Sequence, residues 1–225
     1  MGRLETRFVP AQVHGRYLVE APEGRGRHPL VVGFHGYGEA AEQHLEQLRK
    51  LPGAEGMVLV AVQSLHLFYT KARDVVGSWM TPLGREHAIA DNILYVSEVV
   101  ARVRSELASD GPLVYVGFSQ GVAMAYRAAA RVAHPARGLI VLGGDMPPDV
   151  ADDDSVRLPP VLVGRGERDG WFTTARLEND LARLARLGAS ARSLVFEGGH
   201  EWTPAFLSAA GDFLHAVTRD AQERG

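Results

Sequence analysis

Short apolar runs alternate with longer amphipathic segments along most of the chain. The runs cover residues 30–34, 57–62, 113–118, 139–142, 161–163 and 193–196. They are rich in β-branched residues and bounded by glycine or proline, which is typical of strands buried on both faces of a sheet. Between the runs, apolar residues recur at spacings of three and four, which predicts one face of a long helix. That face comprises Ile89, Ile93, Val96, Val99, Val103 and Leu107.

Two segments nearer the carboxyl terminus show the same helical spacing, over residues 177–187 and 206–217. Strands that alternate with helices predict an α/β fold, a mostly parallel twisted sheet with helices on both faces. The opening stretch, residues 8–9 and then 17–19, instead predicts an antiparallel hairpin at the sheet edge. Because no repeat or Pro/Gly-rich linker divides the chain, we predict one domain over residues 1–225.

Composition narrows the classes of protein that this chain could represent. Of its 225 residues, 46% are hydrophobic and 23% are charged, which are ordinary values for a globular domain. The formal net charge is −3 with no basic block, so we expect no nucleic-acid partner. The absence of cysteine excludes disulfides, thiolate metal sites and a cysteine nucleophile. No apolar run has the length of a membrane span or a signal peptide, so we expect a cytoplasmic protein without stable membrane association.

The most specific local motif is Gly117-Phe118-Ser119-Gln120-Gly121. It follows a strand-like run and precedes an alanine-rich helical run, so the serine lies at a sharp turn that exposes its hydroxyl. Small residues two before and two after it are needed because the turn brings backbone and neighbouring elements close together. The motif predicts Ser119 as a nucleophile. The alternative is a tight strand–helix turn with an incidental serine.

A serine hydroxyl needs a base to remove its proton, and the base needs a carboxylate to orient it. His200 and Asp169 each follow a strand-like run, so both would lie at the carboxyl edge of the sheet, where ligands collect in open α/β folds. For His200 the alternative is a loop histidine that caps the next helix. Glu167 and Asp145 remain alternative acids. The order serine, acid, histidine is the order found in α/β-hydrolases.

The loop His35-Gly36-Tyr37-Gly38 follows the strand-like run 30–34 and can direct backbone N–H groups into the same site. We predict that the N–H groups of Tyr37 and Gln120 hold the oxyanion of a tetrahedral intermediate. His35 is expected to order this loop rather than to transfer protons. A metal site built from His35, His44 and Glu42 would match no known ligand spacing, so we predict no metal and no cofactor.

With these motifs in place, the sequence resembles the phospholipase/carboxylesterase family of α/β-hydrolases, which includes the acyl-protein thioesterases. The resemblance runs from about residue 28 to residue 217 and is also carried by Ser78-Trp79, Ala90-Asp91-Asn92-Ile93, Gly166 and Gly199. It implies the α/β-hydrolase fold, with Ser119 as nucleophile, His200 as base, Asp169 as acid, and oxyanion N–H groups from Tyr37 and Gln120. Departures from the family pattern lie near the expected pocket, at Met80, Thr81, Val122, Trp171, Phe172 and Glu201.

The connection over residues 63–84 is long for a compact domain, which favours a role in substrate binding. We expect an apolar wall for an acyl chain, formed by Phe68, Tyr69, Trp79, Met80, Trp171 and Phe172. The alternative is that these aromatic residues only pack the loop onto the domain. Between residues 142 and 159 the chain is too short for the helical lid of many lipases, so we expect no lid domain.

The function predicted from these residues is hydrolysis of carboxylic esters with small to medium acyl chains, through an acyl-enzyme. The expected partner is a small-molecule ester or thioester, and a homodimer remains open. An acyl thioesterase or a lysophospholipase would use the same residues, and a peptidase or an acyltransferase could use the same scaffold. A non-catalytic binding module with a hydrolase fold is the alternative from another class.

Overall fold

In the computed structural model, which describes residues 3–24, 26–107 and 109–219, nine strands form one large sheet and one hairpin. The strands are β1 (Tyr17–Glu20), β2 (Leu30–Phe34), β3 (Val58–Val62), β4 (His66–Tyr69), β5 (Val75–Ser78), β6 (Leu113–Phe118), β7 (Gly138–Leu142), β8 (Val161–Gly166) and β9 (Ala191–Phe196). The large sheet has the order β1-β3-β2-β6-β7-β8-β9. All neighbours in it run parallel except β1 and β3.

Six α-helices are present in the same ranges: α1 (Ala41–Arg49), α2 (Arg85–Leu107), α3 (Gln120–Arg131), α4 (Pro148–Ala151), α5 (Thr174–Arg186) and α6 (Pro204–Arg219). A short 3₁₀ helix covers Ala54–Gly56. None of these helices combines the length and the apolar character needed to cross a membrane.

Two apolar clusters lie on opposite faces of the large sheet. Adjacent residues of β2 enter different clusters, Val32 with residues of α2, α3 and α5, and Val31 with residues of α1 and α6. This division follows from the alternation of side chains along a strand. The predicted parallel sheet with helices on both faces is therefore confirmed, and each of the six predicted runs forms a strand. Burial on both faces is wrong for the last run, because β9 lies at the edge of the sheet and is mostly exposed.

The antiparallel edge strand is confirmed, but the partner predicted for it is wrong. β1 pairs with β3, with Tyr17 opposite Val62, whereas residues 8–9 lie outside any strand. β3 is buried along its whole length, so the backbone groups on its outer edge need a hydrogen-bonding partner, and β1 supplies it. The ring of Phe8 instead lies 4.9 Å from the ring of His87, between centroids.

The long connection over residues 63–84 contains the antiparallel hairpin β4–β5. We predicted a loop here because residues 66–69 show no alternating apolar pattern. In the structure, most residues of β4 are exposed. An isolated bridge between Glu39 and Gly77 ties the hairpin to the segment after β2. The connection from β7 to β8 holds only the four-residue helix α4, which agrees with the expected absence of a lid domain.

Candidate active site

Ser119 occupies the turn between β6 and α3 in a conformation that side chains rarely adopt. Its backbone φ is 52° and its ψ is −120°, and it immediately precedes the first residue of α3. A Cβ at Gly117 would lie 2.8 Å from Cα of Val122, and one at Gly121 would lie 2.6 Å from the carbonyl oxygen of His35. Both glycines are therefore required by close backbone packing, which holds the turn in its strained form.

A continuous hydrogen-bonded chain joins Ser119, His200 and Asp169. Nε2 of His200 lies 2.8 Å from Oγ of Ser119, and Nδ1 lies 2.8 Å from Oδ2 of Asp169. The other carboxylate oxygen of Asp169 accepts the N–H groups of Trp171 at 2.8 Å and Phe172 at 2.9 Å. Because a carboxylate can only accept, Nδ1 carries the imidazole proton and Nε2 is free to accept the serine proton.

Neither alternative acid forms a hydrogen bond with the imidazole of His200. Glu167 is exposed, and its backbone N–H donates to the carbonyl oxygen of Phe196. Asp145 forms an ion pair with Arg176 at 3.2 Å. Asp169 has only 3% of its surface exposed, and it is the carboxylate that reaches the imidazole of His200.

The candidate oxyanion loop, residues 35–38, is held on both sides of Tyr37. The N–H of Gly36 donates to Oε2 of Glu39 at 2.7 Å, and the N–H of Gly38 donates to the carbonyl oxygen of Gly77 at 3.0 Å. Within the described residues, the N–H groups of Tyr37 and Gln120 have no acceptor in the protein. Burial raises the pKa of Glu39. Two backbone donors, one from the loop and one from the first residue of α3, are thus available for a ligand oxygen.

His35 is fully buried beneath this loop. Its Nδ1 donates to the carbonyl oxygen of Gly36 at 2.7 Å, and its Nε2 accepts from the N–H of Ser64 at 3.1 Å and from the amide of Gln63 at 3.0 Å. Desolvation by burial lowers the pKa of His35, which keeps the ring neutral in this arrangement. These contacts suit a residue that orders the loop rather than one that transfers protons.

His44 and Glu42, the other two residues considered for a metal site, are in environments that differ from each other. His44 is buried in α1, and desolvation together with the nearby His35 lowers its pKa to about 3. Neither ring nitrogen of His44 has a hydrogen-bond partner among the described residues. The carboxylate of Glu42 pairs with the guanidinium of Arg16.

The sequence did not predict the side-chain contacts that fix the segment beside Ser119, although it pointed to the residues that make them. Oε1 of Gln120 accepts the N–H of Trp79 at 2.9 Å, and its Nε2 donates to Oγ of Ser78 at 3.1 Å. Nδ2 of Asn92, fully buried in α2, donates to the carbonyl oxygen of Trp79 at 2.8 Å. The signal was available, because Asn92 is a polar residue four positions before Val96, on the apolar face of the long helix.

Ser119 and His200 open into a cleft of about 760 Å³. Its apolar lining comprises Met80, Pro82, Ala123, Pro147, Pro148 and Trp171. Two residues of the predicted acyl wall, Met80 and Trp171, therefore line the cleft. Trp171 is 65% exposed, so it lies where the cleft is open to solvent.

The other four residues of the predicted wall do not line this cleft. Trp79 is fully buried, and its Nε1–H is satisfied by the carbonyl oxygen of His35 at 2.8 Å. Phe172 is fully buried in the core, below the backbone held by Asp169. The ring of Phe68 stacks on Tyr37 with centroids 5.4 Å apart. Tyr69 is 74% exposed on the hairpin.

Three arginines also line the cleft, and the sequence analysis did not identify them. They are Arg85, Arg127 and Arg176. Arg127 is buried and donates to both carboxylate oxygens of Asp149, at 2.7 and 3.0 Å. The hydrophobic periodicity of α3 could not predict that Arg127 is buried. Its burial depends on pairing with a carboxylate from another helix.

The geometry agrees with comparisons to known proteins. A crystal structure of a Bacillus cereus carboxylesterase has a TM-score of 0.72 at 14% identity, over 90% of this chain and 94% of that one. Esterase PE8 gives 0.69 at 24% identity, over 90% and 98%. Zea mays acyl-protein thioesterase 2 gives 0.69 at 17% identity, over 91% and 100%. At these identities the likeness shows a shared fold.

The family itself comes from the sequence. A comparison with curated protein sequences gives no match. The sequence model of the phospholipase/carboxylesterase family, however, matches residues 15–218, which span both core clusters and every residue of the hydrogen-bonded chain. The chain therefore belongs to the phospholipase/carboxylesterase family of α/β-hydrolases, which are serine hydrolases that act on ester bonds.

Proposed function

We propose that this protein is a serine carboxylesterase that hydrolyses esters of small to medium acyl chains through an acyl-enzyme on Ser119. One observation carries the proposal: Oγ of Ser119, the imidazole of His200 and the carboxylate of Asp169 form a chain with both hydrogen bonds at 2.8 Å. Ser119, at one end of these hydrogen bonds, lines a cleft in which an ester could lie.

In the first half of the reaction, Oγ of Ser119 attacks the ester carbonyl carbon while Nε2 of His200 takes its proton. Asp169 stabilises the imidazolium that forms. The N–H groups of Tyr37 and Gln120 hold the oxyanion, and each such donor typically contributes about 2.7–4 kcal/mol to the transition state. His200 then protonates the departing alcohol, which leaves the acyl group on Ser119.

In the second half, water enters and His200 takes its proton as the oxygen attacks the acyl carbonyl. A second tetrahedral intermediate forms in the same oxyanion site and collapses to release the carboxylic acid. The proton returns to Oγ of Ser119, which restores the starting state. Every step uses side chains and backbone groups of this chain, so the proposal includes no cofactor.

The cleft supports the choice of acyl length. Its volume of about 760 Å³ is within the range typical of small-molecule sites. Met80, Trp171, Pro147 and Pro148 provide apolar surface in the cleft that holds the serine. We further propose one domain over residues 1–225 in the cytoplasm, the first supported by the single sheet that both core clusters share.

A panel of p-nitrophenyl esters from acetate to palmitate tests the proposal, with thioesters of the same acids beside it. We expect kcat/KM to peak at short or medium chains and to fall at acid pH, as His200 becomes protonated. Ser119→Ala should retain less than about 1% of the activity, and a fluorophosphonate probe should label the wild type but not this variant.

Three outcomes would replace the proposal with one of its alternatives. Faster turnover of thioesters than of esters of the same acid would indicate a thioesterase. A marked preference for lysophospholipids over both would indicate a lysophospholipase. Failure of the wild type to react with the fluorophosphonate, together with no hydrolysis of any ester, would indicate a binding module.

A further inference from the structure

Positive charge collects around the cleft beside Ser119, although the whole chain has a formal net charge of −3. Among the described residues that line the cleft, Arg85, Arg127 and Arg176 are cationic and Asp145 is the one carboxylate. Arg127 is neutralised from behind by Asp149, through two hydrogen bonds. Arg176 also has a carboxylate partner, Asp145, but it uses only Nη1 for it. The cationic groups that can face a ligand are therefore Arg85 and the unpaired edge of Arg176.

Arg176 is held in place while one edge of its guanidinium stays available. Its Nη1 lies 3.2 and 3.3 Å from the two carboxylate oxygens of Asp145, and its Cζ lies 5.6 Å from the ring centroid of Trp171. Within the described residues, its Nε and Nη2 donate to no acceptor, and 46% of the side chain is exposed. A guanidinium positioned by an aromatic ring and a carboxylate can bind a second carboxylate through two parallel hydrogen bonds.

Arg85 adds a second cation from a different element. It is the first residue of α2, it is exposed, and no carboxylate pairs with it in the described part of the chain. A cation in the first turn of a helix lies at the unfavourable end of the helix dipole, so helix stability does not explain this residue. An anion bound in the cleft would offset that unfavourable position.

We propose that the cleft selects esters that carry a second, anionic group, namely a carboxylate bound by Arg176 and Arg85 while the ester carbonyl lies at Ser119. The inference rests on the proposed carboxylesterase function and narrows its substrate class to monoesters of dicarboxylic acids. In the reaction, water cleaves the acyl carbon–oxygen bond of the monoester. The products are the alcohol, the dicarboxylate and one proton.

The test compares three methyl esters of similar length on the full chain in a pH-stat. They are monomethyl adipate, which is anionic, methyl hexanoate, which is neutral, and methyl 6-aminohexanoate, which is cationic. We expect kcat/KM to be at least about tenfold higher for the adipate than for the hexanoate, as for hydrogen bonds to a charged group, and lowest for the cation. In about 0.5 M NaCl this preference should shrink because salt screens exposed charges.

Variants assign the preference to the cleft arginines. Arg176→Gln and Arg85→Gln should each lower the adipate-to-hexanoate ratio by about threefold or more, and Asp145→Asn should raise it because Arg176 loses its competing carboxylate. Arg102→Gln is the matched control, since Arg102 lies on α2 like Arg85, pairs with Glu98 and does not line the cleft. Its ratio should stay at the wild-type value.

The inference is overturned if the hexanoate is hydrolysed as fast as the adipate, or if the ratio is the same in all four variants. If Arg176→Gln does not fold, as judged by thermal melting, Arg85→Gln and Asp145→Asn still decide the matter. Hydrolysis of methyl hexanoate with labelling of Ser119 but no anionic preference would overturn this inference alone. No hydrolysis and no labelling would overturn the proposed function as well.

Discussion

The hydrogen bonds of Asp169 predict a specific defect for Asp169→Asn. In the wild type, Oδ1 accepts two backbone N–H groups and Oδ2 accepts Nδ1–H of His200. In the variant, the amide oxygen should stay with the two N–H groups, because an amide nitrogen there would face two donors. The NH₂ group then faces Nδ1, which must accept, so Nε2 carries the proton and cannot take one from Ser119.

The expected loss is large because the variant holds the base in the wrong tautomer rather than removing it. A buried asparagine in place of a triad aspartate typically lowers kcat by about 10⁴-fold, which corresponds to about 5.4 kcal/mol in the activation barrier. The fold should survive, since both backbone N–H groups keep an acceptor in the same position. The loss should therefore fall on kcat, with little change in the melting temperature.

The assay is steady-state hydrolysis of p-nitrophenyl butyrate, with the folded fraction of each variant measured by thermal melting. Glu167→Gln is the matched control, because it removes a carboxylate two residues away whose side chain is exposed, and it should keep its activity. Retention of more than about 1% of wild-type kcat by Asp169→Asn would contradict this role for the carboxylate. A loss in Glu167→Gln as large as that in Asp169→Asn would contradict it as well.

Three further substitutions test other parts of the structure. Glu39→Ala should lower kcat about tenfold, because the N–H of Gly36 loses the acceptor 2.7 Å away that holds the candidate oxyanion loop, and ester kinetics should show a smaller loss for Glu39→Gln. His44→Leu should flatten the pH dependence of stability in urea unfolding between about pH 6.5 and 3. Burial lowers the pKa of His44 from 6.5 to about 3, so between these values the unfolded chain binds more protons, and this residue lowers the free energy of unfolding by up to about 1.4 kcal/mol per pH unit as the pH falls. Gly121→Ala should lower the free energy of unfolding in urea by about 3 kcal/mol or more, because its Cβ would lie 2.6 Å from the carbonyl oxygen of His35.

Each of these expectations has an outcome that contradicts it. Equal losses in Glu39→Ala and Glu39→Gln would show that the acceptor at this position does not matter. An unchanged slope of stability against pH in His44→Leu would mean that the buried ring does not resist protonation. For the glycine, Gly56→Ala is the control, since a Cβ there meets no atom within 4 Å, and Gly121→Ala should be far less stable than this control.

Local sequence patterns are enough to predict the layers of the fold and the neighbourhood of the site. The inner strands are buried on both faces, so their consecutive residues are all apolar or small. A short apolar run in the sequence is therefore enough to predict each of them. The turn at Ser119 was recognisable because close backbone packing excludes side chains at positions 117 and 121. Asp169 and His200 follow parallel strands, and parallel strands end at one edge of the sheet.

Long-range contacts determine which of several similar residues occupies each position in the site. Asp169 rather than Glu167 or Asp145 reaches His200, because the loop after β8 turns that one carboxylate inward. Trp79 and Phe172 are buried in the interior whereas Trp171 lines the cleft, a distinction that hydrophobicity cannot make. Hydrophobic periodicity predicts only whether a side chain is buried. Which partner buries it depends on contacts between residues far apart in the chain.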